Sequence, residues 1–136
     1  MAAPHRVLVI DDDEAIRSAF ARVLTREGYA VQVAATAEAG LNQVKQTRPE
    51  AILLDWKMPL INGVGFLYRL REDPTNHDIA VAVITGAVDL DDATMDDLRT
   101  LRARVWHKPL SLDEMRQIVR TLLTDGSSEP PGLRTL

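Results

Sequence analysis

Two short runs of apolar residues in this chain stop abruptly at carboxylates: Val7-Leu8-Val9-Ile10 meets Asp11-Asp12, and Ala51-Ile52-Leu53-Leu54 meets Asp55. An uninterrupted run of this kind reads as a strand covered on both faces, as in parallel sheets. The residue after its last apolar position emerges at the sheet's carboxyl edge, where open α/β sheets bind ligands. If the two strands are neighbours, Asp11, Asp12 and Asp55 converge in one crevice. Three carboxylates at close range repel one another unless a cation neutralises them, and hard oxygen donors suit Mg²⁺ or Mn²⁺. The pattern therefore predicts a metal site and, with it, phosphate chemistry.

The rest of the chain supplies the sheet. Apolar periodicity alternates between strand and helix throughout, the signature of a parallel sheet with helices on both faces. Strands are predicted at Val7–Ile10, Ala30–Ala34, Ala51–Leu54, Ile79–Ile84 and Arg104–His107. The first helix, Glu14–Glu27, has Asp13 to cap it, Gly28 to end it, and Ile16, Phe20, Val23 and Leu24 on one face. The second starts at Thr36, runs to about Thr47 and closes at Arg48-Pro49. A loop through Met58-Pro59 and Asn62-Gly63 leads to a third helix that carries Phe66, Leu67 and Leu70 and ends near Asp73-Pro74. The fourth, Asp89–Leu101, is polar, with Met95 and Leu98 as packing residues. The last opens on a Ser111/Glu114 capping box and is expected to bury Leu112, Met115, Ile118, Val119 and Leu122.

Five βα units satisfy the right-handed crossover rule most simply as a doubly wound, flavodoxin-like five-stranded sheet of order 2-1-3-4-5 flanked by five helices. That order makes the first and third strands neighbours at the switch point, as the acid clusters require.

With 136 residues the chain has the length of one domain. The expected division is an arm at 1–5, one folded unit at 6–124, and a disordered tail at 125–136 that reads Gly-Ser-Ser-Glu-Pro-Pro-Gly after Asp125. A net charge of -4 and 26% charged residues argue against nucleic acid, which calls for a concentrated basic face. The absence of cysteine excludes disulfides and thiolate metal sites. With no long apolar span there is no membrane segment to expect, and the default compartment is the cytoplasm.

Four segments together carry a resemblance: Val9-Ile10-Asp11-Asp12-Asp13, Leu53-Leu54-Asp55-Trp56-Lys57-Met58-Pro59, Val83-Ile84-Thr85-Gly86 and His107-Lys108-Pro109. Each falls at a strand end, and in this order they resemble the receiver domain of two-component response regulators, of the single-domain, chemotaxis-regulator-like type. The resemblance implies Asp55 as phosphoacceptor, with Mg²⁺ held by Asp11, Asp12, Asp55 and the backbone carbonyl of Lys57. It implies Lys108 and Thr85 as the groups that meet the phosphoryl oxygens. It also implies a sensor histidine kinase or histidine phosphotransfer protein as donor, an unidentified downstream protein as target, and a domain that catalyses only its own phosphorylation and dephosphorylation.

This sequence departs from the family pattern at Val105, three residues before Lys108, where an aromatic residue is usual; Trp106 should face the opposite side by strand alternation. Arg99, Arg102 and Arg104, near Asp91, Asp92, Asp96 and Asp97, allow an ion-paired homodimer through the face between the fourth and fifth helices. Two other functions are open to such a sequence. One is a degenerate receiver that acts as a docking module. The other is an aspartyl-nucleophile phosphatase of the haloacid-dehalogenase type, disfavoured by Ala15 and by the lack of a cap insertion.

Overall fold

A computed structural model describes residues 3–56, 63–86, 90–108 and 110–125. Lys57, the Met58-Pro59 and Asn62 loop, Asp89, Pro109 and the tail beyond Asp125 lie outside the described residues.

The elements follow in the order β1 (Arg6–Ile10), α1 (Glu14–Arg26), β2 (Ala30–Ala34), α2 (Ala37–Thr47), β3 (Ala51–Asp55), α3 (Gly63–Glu72), a 3₁₀ turn at Pro74–Asn76, β4 (Ala80–Thr85), α4 (Asp92–Thr100), β5 (Ala103–His107) and α5 (Leu112–Asp125). All strand pairs are parallel, and the sheet order is β2-β1-β3-β4-β5. This is the flavodoxin-like arrangement that the alternation predicts. Every residue of β3 and β4 is buried, which explains their uninterrupted apolar composition. In the β1–β3 register Ile10 is opposite Leu54, so the two acid-bearing chain ends leave the sheet at the same level.

Alternate residues divide the core in two. Leu8, Ile10, Ile52, Leu54, Val81 and Val83 face α2, α3 and α4, where Val44, Phe66, Leu67, Leu70 and Leu98 complete one layer. Val7, Val9, Leu53, Ala82 and Ile84 face α1 and α5, meeting Leu24, Met115, Ile118, Val119 and Leu122. Helix α2 lies close on β1: a Cβ at Gly40 would stand 2.5 Å from Ile10 Cδ1, so a side chain here would force the Ile10 side chain to shift.

The helix starts are locally encoded. Asp13, Thr36 and Asp91 accept hydrogen bonds from the N–H groups of Ile16, Ala39 and Thr94 at 3.1, 3.0 and 2.7 Å. Ser111 and Glu114 form the reciprocal box at 2.9 and 3.0 Å. Gly28 follows α1 with φ 97°. Arg48 ends α2 in the left-handed region at φ 51°, an uncommon place for a side chain. Its guanidinium donates to Asn76 Oδ1 and the Thr75 carbonyl, and these bonds tie the strained residue to the 3₁₀ turn.

Several expectations need correction. The fourth helix begins at Asp92, because Asp91 spends its side chain on the cap and is itself extended. Leu112 is 42% exposed: its periodicity is right, but it occupies the first turn of α5, ahead of Met115, the first residue of that helix in the core. Ile16, Phe20 and Val23 are only partly buried, since the upper part of α1 borders a cleft, and Leu24 alone is fully enclosed. Arg104, counted among charges open to a partner, is 1% exposed. It pairs in register with Ala82, so its side chain points under α5. Val105 packs against the α2–α3–α4 core and Trp106 against the α1–α5 core, the opposite orientations that alternation predicts.

Candidate phosphoacceptor and metal site

The carboxyl edge of β1 and β3 gathers the three acids. One carboxylate oxygen from each of Asp11, Asp12 and Asp55 lies within 4.8 Å of the others. Asp11 and Asp55 are buried, and Asp12 is exposed at the mouth. The sheet holds Asp11 and Asp55 from below. The Asp11 N–H donates to the Ala34 carbonyl at 3.1 Å, and the Trp56 N–H donates to the Ile84 carbonyl at 3.0 Å, so the ladder continues past Asp55.

Charge is unevenly balanced here. Burial pushes the Asp11 carboxyl above its ordinary range; a 2.9 Å hydrogen bond from the Asp13 N–H works against this, Asp55 adds to the rise, Lys108 offsets part of it, and Asp12 adds more. Lys108 Nζ donates to Asp55 Oδ1 at 2.8 Å, across 53 positions of sequence. Among the described residues Lys108 is the one cation bonded to a carboxylate of this cluster, and the three acids line the pocket with hard oxygen donors. That is the donor set a small divalent cation takes, and the lowered cost of ionising Asp11 beside such an ion is the physical argument that these residues fit one.

Thr85, at the end of β4, is fully buried, and its carbonyl accepts the Lys108 N–H at 2.7 Å. This bond fixes the β5–α5 connection to the strand that neighbours β3. Asp11, Asp12, Asp55, Thr85 and Lys108 thus stand at the same edge of the sheet, while Lys57 lies outside the described residues.

Two features of the site are not apparent from sequence patterns. Arg17 Nη1 donates to the Asp11 carbonyl at 2.9 Å, tying the acid turn to α1; the signal was a long cation six residues past Asp11. Beneath the acids lies a cleft of about 300 Å³ lined by Val9, Ile16, Phe20, Leu53, Ile84 and Leu110, with Asp11, Asp55 and Lys108 at its rim. It accounts for the incomplete burial of α1.

A doubly wound sheet with buried acids and a lysine at its switch point defines a class of α/β proteins that bind phosphate and metal at the strand ends. Within it, residues 7–120 match the response regulator receiver domain family, and the chain belongs to that family. It is 32% identical over 143 aligned residues to response regulator MprA of Mycobacterium sp. (strain KMS), covering 98% of this chain and 58% of the relative. The chain therefore spans little more than half the length of that relative.

Among solved structures, a CheY-like receiver domain protein from Methanospirillum hungatei JF-1 superposes with a TM-score of 0.79 at 25% identity, covering 90% of this chain and 96% of that one. Chemotaxis response regulator CheY4 of Vibrio cholerae superposes with a TM-score of 0.78, covering 88% and 98%; at 22% identity this likeness concerns the fold. Membership in a family of two-component signalling domains displaces the dehalogenase-type phosphatase reading. Among the described residues no helix is long and apolar enough to cross a membrane.

Proposed function

We propose that this receiver domain accepts a phosphoryl group on Asp55 from a phosphohistidine of a sensor kinase or phosphotransfer protein. The single observation that carries the reading is the meeting of Asp55 with both Lys108, at 2.8 Å, and the acids Asp11 and Asp12. In the transfer the P–N bond of the donor breaks as a P–O bond to an Asp55 carboxylate oxygen forms, and the donor imidazole recovers its proton from solvent. Asp11, Asp12, Asp55 and the Lys57 carbonyl would hold Mg²⁺ or Mn²⁺, which when bound neutralises phosphoryl oxygens and the acid cluster together.

Lys108 is positioned to leave Asp55 and follow the charge onto the phosphoryl group. Thr85 offers its hydroxyl to a second phosphoryl oxygen, and that rearrangement alters the neighbouring surface to which a downstream protein binds. With Val105 in place of an aromatic, the altered surface is the α4–β5 packing itself. Residues 6–124 act as the unit in this reading, in the cytoplasm, and the α4–α5 face offers a homodimer contact without Arg104.

Incubation with Mg²⁺ and a small acyl-phosphate donor, followed by intact-mass measurement, tests the reading. The expected outcome is one added, hydroxylamine-labile phosphoryl group that is absent from Asp55→Asn. A wild-type protein that gains nothing would be a docking module.

A further inference from the structure

The residue after the proposed phosphoacceptor is anchored more firmly than a strand-end aromatic needs to be. The Trp56 N–H donates to the Ile84 carbonyl at 3.0 Å, and its indole packs against the core under α2, α3 and α4. The six-membered ring also lies directly on the first residue of α3. A Cβ built at Gly63 would overlap Trp56 Cζ3 and Cε3, so the ring occupies the space that a side chain at 63 would fill. Gly63 is buried, and the described geometry gives it no positive φ, so close approach of the indole is what requires glycine there. The chain thus leaves β3 and enters α3 at the two faces of one contact, with residues 57–62 between them.

We propose that Trp56 is a positioning residue for the cation site. Its indole, seated on Gly63, fixes the direction in which the backbone leaves Asp55, and thereby the affinity of the Asp11, Asp12 and Asp55 cluster for a divalent cation. Consecutive Cα atoms are about 3.8 Å apart, so a tilt of the Trp56 peptide moves the Asp55 carboxylate on one side and the following carbonyl on the other. Mg²⁺ tolerates little error in ligand placement, because it demands near-octahedral geometry. A backbone held at Trp56 by the contact of its indole with Gly63 loses less entropy on binding the ion than one hinged freely at Asp55. The inference rests on the reading of the carboxylate cluster as a divalent-cation site.

A double-mutant cycle on the full chain tests it, with the Mg²⁺-dependent rise in Tm as the readout for wild type, Gly63→Ala, Trp56→Leu and the double variant. Gly63→Ala is expected to raise the half-saturating Mg²⁺ concentration about 3- to 10-fold when Trp56 is present, and less than about 2-fold in the Trp56→Leu background, where the added methyl finds room. In a Trp106→Phe background, where Trp56 is the remaining indole of two, Gly63→Ala should also shift the emission of the metal-free protein. Equal effects of Gly63→Ala in both backgrounds would mean that alanine acts on α3 alone and would overturn the clamp. So would an unchanged Mg²⁺ response in the presence of Trp56. A wild-type protein whose Tm ignores Mg²⁺ to about 10 mM, well above the usual range of weak oxygen sites, overturns the cation reading and the clamp with it.

Discussion

The two edges of the sheet handle charge in opposite ways. At the amino edge His5, Arg6, Arg48, Glu50 and Arg71 each have a bonded partner. Glu50 accepts from His5 Nδ1 at 2.8 Å and from the Arg6 N–H at 3.1 Å, and Arg6 Nε donates to the Arg48 carbonyl at 2.8 Å. Arg71, largely enclosed, donates to the carbonyls of Asn76, Leu101 and Arg102 at 2.7, 3.0 and 3.3 Å. Its burial and the nearby Arg102 lower its pKa to about 10, which leaves it charged at neutral pH. At the carboxyl edge three acids stand together, and among the described residues Lys108 is the one cation paired with any of them. The amino edge closes the fold, while the carboxyl edge holds unbalanced charge that a cation and a phosphoryl group can compensate. The amino edge serves stability, and the proposed function places reactivity at the other.

The largest effect is expected of Lys108→Ala, at the carboxyl edge. Phosphoryl uptake from an acyl phosphate, followed by mass, should fall by about 10²-fold, the usual effect of losing one preorganised donor. A change of under about 3-fold would remove Lys108 from the chemistry. At the other edge, Arg71→Ala should cost about 2–4 kcal/mol of folding free energy in urea titrations, since it strips three carbonyls of their donor. The Mg²⁺ dependence of uptake should stay unchanged; a parallel loss of Mg²⁺ affinity would show that the edges are coupled.

A smaller effect of opposite sign is expected for Asp11→Asn. Without metal it removes a buried like charge and should raise Tm by a few degrees, the scale of about 1 kcal/mol in a domain of this size. With Mg²⁺ present the advantage should shrink or reverse, because a ligand has gone.

The smallest effect is a difference in response to acid. The Asp11 carboxyl is raised in the fold, so between its unfolded and folded values the native state binds more protons. Metal-free stability from this group therefore falls as pH rises through that window and is recovered on acidification. For Glu50, burial works against the charged form, but the His5 and Arg6 hydrogen bonds outweigh it and hold the carboxyl below its ordinary range. Its contribution is present above the unfolded value and is lost as pH falls through the folded one. Chemical denaturation of Asp11→Asn and Glu50→Gln between pH 3 and 7 should give difference curves of opposite slope.

Much of this was legible in the residues. The buried strands announce themselves as uninterrupted apolar runs, and Asp13, Thr36 and the Ser111/Glu114 pair announce the helix starts, because capping needs only a side chain within three positions of its partner. The acid cluster was legible for a related reason: once strand order is inferred, a residue just past a strand end has one place to go. Arg71 was not. Its three acceptors come from the turn after α3 and from the α4–β5 connection, and no pattern around Arg71 itself marks them. Arg104 misled, since an arginine in a weakly apolar strand reads as exposed until α5 is laid over it. Leu112 misled in the other direction, because periodicity tells which face of a helix is apolar but not how far the surface beneath it extends.

The alternation of elements, the parallel sheet and the acids at its carboxyl edge can be read from the residues alone, since they follow from short-range periodicity, caps and the chain direction of a strand. Helix packing places Trp56 on Gly63, the Arg17 guanidinium on the Asp11 carbonyl and Arg71 on the distant α4–β5 turn, and it opens an apolar cleft beneath the acids. Those contacts depend on where packed helices come to rest, to within a fraction of an ångström. That position is set by the volumes of all the side chains between the layers, a property of the whole core that no local stretch of residues contains.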